Sequence, residues 1–402
     1  MRRVPVNRSV SPLGVSVDAI VDQALDLVAA GGLAELTLRP LATGLGVSVP
    51  VISSRMGSKG QLLEGVTRAA HARDRAFFGK WRDLAHAAGV MEAAARAAIV
   101  ELALREWVTR ERRQAIFFIE LIHDRALRPD RFPALEDWLD EAGGFWSELL
   151  FAETSLPDVA LGYVLDEAGF SLSADQDPRY ALLRSLCLQR FVGGMFPGAN
   201  AVEPDAIALL IASFGAPPVV QVDDAKRQLI ADSAASVIVS QGIENVTHRS
   251  VALAAGVPAS TVVYHFGGRP TLVVAGLHAV IARFHSRRSD LGPDRGNAPP
   301  DDPSVQDLIK ATSMIALASA REPSLVPYAI DMRRRRGENW RASDMERLGI
   351  GIGAGFDRAA AQLLSIAAFG MGMIGMARKL PERDYYARAL AAFEAWRGRR
   401  VA

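Results

Sequence analysis

Hydrophobic and polar positions along the chain recur at helical, not alternating, spacing. From Val17 to Ala30 and again from Ala225 to Ser240, apolar residues fall three and four positions apart with charges between them, the signature of an amphipathic helix. Each stretch ends at a glycine, Gly32 or Gly242, a residue that readily takes the left-handed conformation closing a helix. Further helix-like segments are predicted at Met91–Trp107, Arg112–Leu127, Ala134–Phe151, Pro178–Phe196 and Pro204–Phe214, then at Ser304–Arg321, Leu325–Arg334, Phe356–Ala377 and Glu382–Trp396. The expected class is all-α.

The two opening helices belong to an internal repeat. Gly32–Leu62 aligns with Gly242–Leu272 without a gap at a constant offset of 210 residues. Thr37/Thr247, Arg39/Arg249, Ala42/Ala252, Gly46/Gly256, Val47/Val257, Gly57/Gly267 and Leu62/Leu272 are identities, and Leu41/Val251, Ile52/Val262 and Lys59/Arg269 are similar pairs. Within each copy a threonine stands where its hydroxyl can cap a helix, followed by the Gly46-Val47 or Gly256-Val257 turn and a second short helix entered at Ser48 or Pro258. Helix, tight glycine turn, helix is the helix-turn-helix layout. Gly215-Ala-Pro-Pro218 stops the chain between the copies, and Leu291–Pro303, rich in Pro, Gly and Asp, reads as an exposed linker. The expected domains are 15–75 and 223–290 for the two helix-turn-helix units, with helical effector and dimerisation domains at 76–216 and 300–402.

Composition narrows the function classes. At 402 residues the chain exceeds one ordinary helical domain. A single cysteine, Cys187, rules out an intrachain disulfide and fits a reducing cytoplasm. Ile366–Ala377 is too short to span a bilayer and holds three glycines, so a packed helix is expected and no membrane. The net charge of +1 hides a local excess, since residues 1–80 carry ten Lys or Arg against six Asp or Glu. No nucleophile elbow, phosphate-binding loop or metal-ligand spacing is present, so neither an enzyme nor a metal or other cofactor is expected. Arg2, Arg3 and Arg8 read as a solvated terminus, and Arg333–Arg336 as a solvated helix end.

The segment Thr247-His-Arg-Ser-Val-Ala-Leu-Ala-Ala-Gly-Val-Pro-Ala-Ser-Thr-Val-Val-Tyr-His-Phe266 resembles the DNA-binding signature of the TetR family of transcriptional regulators, above all in Tyr264-His265-Phe266. The resemblance implies that the helix from Pro258 to His265 enters the major groove, with Ala259, Ser260 and Thr261 nearest base edges. Thr247, Arg249, Tyr264, His265 and Arg269 would serve the DNA backbone, and Phe266 would pack inward. Carried over to the first copy, it points to Thr37, Arg39, Ser48, Val49, Pro50, Val51, Ser54, Arg55 and Lys59. There Ser53-Ser54-Arg55-Met56 replaces the aromatic end, so two unequal DNA readers are expected.

The same resemblance implies a small apolar effector bound within the helical bundles, for which Trp107, Phe118, Trp146, Met314, Tyr328, Met332 and Trp340 are candidate wall residues. It also implies dimerisation through late helices. Because one chain carries both copies, the expectation is a monomeric pseudodimer on an imperfect palindrome, joined through Tyr180–Phe196 and Ala360–Ala377, with Gly193, Gly194, Gly370, Gly372 and Gly375 allowing close approach. The alternative is a helical ligand-binding or interaction module that has lost DNA binding.

Overall fold

The computed structural model describes residues 15–152, 156–193, 204–290, 303–338 and 358–380. Arg2, Arg3, Arg8, Gly194, Trp340, the segment 291–302 and the expected Glu382–Trp396 helix lie outside them. Among the described residues all regular structure is helical. Helices α1 (Val17–Gly31), α2 (Leu38–Gly44), α3 (Val49–Met56) and α4 (Lys59–Ala88) open the chain, with a 3₁₀ turn at Leu33–Glu35 between the first two. Then come α5 (Ala93–Thr109), α6 (Arg112–Leu127), α7 (Leu135–Phe151), α8 (Pro157–Ala174), α9 (Pro178–Gly193) and α10 (Pro204–Ala212). The opening order returns as α11 (Ala225–Gln241), a 3₁₀ turn at Ile243–Asn245, α12 (His248–Ala255), α13 (Ala259–Phe266) and α14 (Arg269–Asp290). Helices α15 (Pro303–Ser319), α16 (Val326–Arg334) and α17 (Arg358–Ala377) follow.

Local sequence explains the long helix α4. Ser58 and Gln61 form a reciprocal capping box at its start. Thr67, Ala70, His71, Asp74, Phe77, Phe78 and Trp81 then follow at three- and four-residue steps and are all buried. This stripe packs on α7, where Phe78 stacks on Phe145 at 4.4 Å between ring centroids and His71 stacks on Trp138 at 5.6 Å.

The centre of the molecule is α8, a helix missing from the sequence reading. Fifteen of its residues are buried, so it has no polar face and therefore no amphipathic period to detect. It packs against α5, α6, α7, α15, α16 and, most extensively, α17. Gly162 and Gly370 make that last crossing close. A methyl group built on Gly162 would lie 2.7 Å from the carbonyl oxygen of Ala367, and one on Gly370 would overlap the backbone of Gly162. Of the segment expected to join here, Tyr180–Phe196, α9 also touches α17 but less than α8 does, and Gly193 has open space where a side chain would stand. Helix α17 is long and apolar enough to cross a membrane, and 83% of its apolar window is buried inside the fold, which is the packed-helix arrangement.

Arg333 and Arg336 also depart from expectation. They are 0% and 4% exposed and pair with adjacent acids of α8: Arg333 with Glu167 at 2.7 Å, Arg336 with Asp166 at 2.7 Å. Arg333 also donates to Gln362 on α17, Arg336 to Thr312 on α15, and Tyr180 donates its hydroxyl proton to Glu167 at 2.6 Å. Burial of a charge is tolerable only with such partners. The run of arginines cannot reveal that Arg333 and Arg336 pair with acids over 160 residues upstream, while Arg334 and Arg335 pair locally with Asp331 and Glu338.

Candidate nucleic-acid interface

Each step of the second repeat has a local cause. Asp224 accepts from the backbone N–H of Arg227 at 2.7 Å, which starts α11 and holds the Asp224 carboxyl below the usual carboxylate range. Gly242, at φ 90°, ends the helix. Thr247 and Ser250 cap α12 reciprocally, each side-chain oxygen accepting the other's backbone N–H at 3.0 Å. Gly256, at φ 64°, closes α12 in the left-handed conformation. Pro258 sits just outside α13 as its N-terminal flanking residue. His248 bonds the carbonyl of Gly267 at 2.6 Å, tying the start of α12 to the end of α13.

The helix α13 divides cleanly into two faces. Val262 and Phe266 are buried, whereas Ala259, Ser260, Val263 and Tyr264 are exposed, Tyr264 by 85%. Small residues at its N-terminal end and a projecting tyrosine at its other end present a surface that can sit deep in a groove while the phenol reaches a phosphate. Thr261 and His265 are half-buried at the edge of that face.

The first repeat has the same topology with weaker local chemistry. Ile52 is the buried anchor of α3, and Pro50, Ser54, Arg55 and Lys59 are exposed, with Val49 and Val51 half-buried. Thr37 and Ser48 occupy N-cap positions, yet neither side chain makes a capping hydrogen bond, contrary to expectation. Ser54 returns its hydroxyl to the carbonyl of Val51 at 3.0 Å. Arg39, Arg55 and Lys59 here, and Arg249 in the second repeat, are exposed cations without a carboxylate partner among the described residues.

Arg269 is placed differently from its sequence assignment. Its guanidinium donates to the carbonyls of Val246 at 3.0 Å and Ile243 at 2.9 Å, and pairs with Glu322 and, at 3.5 Å, Glu244. A group with its donors so committed holds the fold and is not free for a phosphate. Lys59, its counterpart at the 210-residue offset, stays exposed.

The aromatic candidates for an effector wall are core. Trp107 lies 5.9 Å from Phe118 and 6.0 Å from Trp146, edge-on or tilted, all fully buried. Beside them Asp74 accepts from the indole N–H of Trp138 at 3.1 Å, and burial raises its carboxyl to about 7. Met314 lines a cavity of about 80 Å³ between the repeats, with Gly32, Gly242, Glu120, His123 and Leu127. Burial there lowers the His123 imidazole to about 3, keeping it neutral, and raises the Glu120 carboxyl despite its Arg321 partner. Met332 lines a smaller cavity of about 40 Å³ beside Phe369, and Tyr328 is half-buried on α16. Among the described residues no group of acids, histidines and cysteine could hold a metal ion.

The geometry of α11 to α14 defines a helix-turn-helix module of the DNA-binding kind. Residues 230–275 match the family described as "Bacterial regulatory proteins, tetR family", so this segment is a tetR-type DNA-binding module. Among solved structures, "Crystal structure of multidrug binding protein EbrR complexed with imidazole" is similar at 24% identity over 42% of this chain and 90% of that one, with a TM-score of 0.28. A comparison with curated proteins finds no match.

Proposed function

We propose that the chain is a transcriptional regulator, a repressor released by a small effector, that grips a two-part operator as an intramolecular pseudodimer. The two helix-turn-helix domains are 15–75 and 223–290, and the effector and dimerisation domains are 76–216 and 300–402. The carrying observation is the exposed face of α13, with Ala259, Ser260 and Tyr264 open to solvent on a helix whose other face is anchored by Val262 and Phe266. The recurrence of that layout in α1–α4, with exposed Arg39, Arg55 and Lys59, supports a second reader. Its different reading face, Val49, Pro50 and Val51 in place of Ala259, Ser260 and Thr261, implies unlike half-sites and hence an imperfect palindrome. Carrying both readers in one chain makes their association independent of concentration.

Light scattering combined with selection from genomic DNA tests the reading. The intact chain should select a two-part site as a monomer, and Arg55→Ala with Lys59→Ala, or Tyr264→Ala with Arg249→Ala, should each abolish selection. Selection lost only with the second pair would leave the first repeat as a scaffold. No selection by the intact chain would favour a helical module that binds ligands or proteins without DNA.

A further inference from the structure

Two adjacent residues after α15 hold both repeats. Arg321 donates to the carbonyls of Val28 at 2.9 Å and Ala29 at 3.1 Å, the open C-terminal end of α1, and pairs with Glu120 of α6 at 2.6 Å. Glu120 in turn accepts from the backbone N–H of Leu33 at 3.4 Å, in the first repeat's 3₁₀ turn. The next residue, Glu322, pairs with Arg269, whose other donors grip the 3₁₀ turn of the second repeat. Glu244 of that turn is shared, 3.2 Å from Arg321 and 3.5 Å from Arg269. Charges therefore alternate along Glu120, Arg321, Glu244, Arg269 and Glu322, and the chain of contacts runs from one repeat to the other. The equivalent glycines Gly32 and Gly242 line the same cavity beside it. The Arg321 and Glu120 side chains are 9% and 11% exposed, so the ion pair between them lies largely out of reach of solvent screening, whereas Glu244 stands at the surface.

We infer that this alternating chain is the joint that fixes the separation of the two reading helices, with Arg321 its positioning residue, and so determines which half-site spacing the protein accepts. The inference rests on the two-reader proposal. It predicts a reader with narrow spacing tolerance, because α3 and α13 each follow their own 3₁₀ turn through one short helix, α2 or α12, while Arg321 links the end of α1 to Glu244 of the second turn.

The experiment uses the full chain, spin-labelled at Ser54→Cys and Ser260→Cys, and measures the distance distribution by pulsed electron resonance without DNA. Arg321→Met should broaden or shift a narrow distribution, and Glu244→Gln, at an exposed acid whose loss leaves every helix capped, should do so in the same direction. Arg321→Lys keeps one charge but cannot serve α1, Glu120 and Glu244 together, and should fall between. On DNA panels with the half-sites moved apart in single base-pair steps, the preference for the best spacing should fall about tenfold in Arg321→Met. Unchanged distances in both Arg321→Met and Glu244→Gln overturn the joint, whatever the DNA result. Altered distances with an unchanged spacing profile overturn its role in spacing. If the unmutated chain selects no two-part site, the two-reader proposal and the spacing role fail together, while the distances alone still decide the joint.

Discussion

Replacing Asp74 by asparagine should stabilise the protein at neutral and alkaline pH and do little in acid. Asp74 sits on the buried stripe of α4 that joins the first helix-turn-helix to the bundle, 1% exposed, and accepts from the Trp138 indole, with Trp107 and Gln114 close to it. Burial raises its carboxyl from 3.8 to about 7. Below the ordinary value, folded and unfolded chains both hold the proton and burial exacts no charge penalty. Between that value and about 7 only the folded chain holds it, so stability falls as pH rises; above about 7 the whole penalty stands, about 4 kcal/mol for a shift of this size. Between pH 5.5 and 8.5 the unmutated chain should lose about 2 kcal/mol through this group, at about 1.4 kcal/mol per unit until the folded carboxyl ionises. Asparagine keeps an acceptor for Trp138 and adds an N–H for the nearby unpartnered oxygen of Gln114. Urea titrations followed by tryptophan fluorescence, which reports this aromatic cluster, give the difference between the two proteins at each pH. A difference that grows with pH supports the assignment. Parallel pH profiles would refute it, since they mean that Asp74 ionises alike in folded and unfolded chains.

Other outcomes follow from the packing and the reading face. Gly370→Ala should lower stability by about 1–3 kcal/mol, read as a fall in the thermal midpoint, because a methyl there overlaps the α8 backbone at Gly162. Arg333→Met should cost about 3–5 kcal/mol by stranding Glu167, and adding Glu167→Gln should restore much of it; a double variant no better than the single would contradict a net charge penalty. Tyr264→Phe should weaken binding to all DNA sequences alike, whereas Thr261→Ala should mainly relax sequence preference, both measured by fluorescence anisotropy. Affinity should fall steeply with added salt if Arg39, Arg55, Lys59 and Arg249 neutralise phosphates, and neutralising one of them should reduce the logarithmic slope by about one.

The exposed face of α13 was legible in residue order because it depends on local chemistry: Thr247 and Ser250 capping α12, Gly256 permitting a left-handed turn, and a three- to four-residue step that buries Val262 and Phe266. The same logic located most helices, including Arg112–Leu127 at both ends. It failed for α8, where burial on every side erases the polar face that marks a period. It failed again for Arg269 and Arg333, because a guanidinium's role depends on which carboxylates come near it.

Capping, turn formation and amphipathic period act over a few residues, so the sequence by itself determined the all-helical class, the helix-turn-helix order and the exposed face of α13. Tertiary structure alone decided that Gly162 meets Gly370, that Asp166 and Glu167 receive Arg336 and Arg333, and that Arg321 bridges both repeats while Glu322 holds the second. Those contacts join residues up to 293 positions apart, and their energies depend on burial and approach distance, which exist only once the chain has folded.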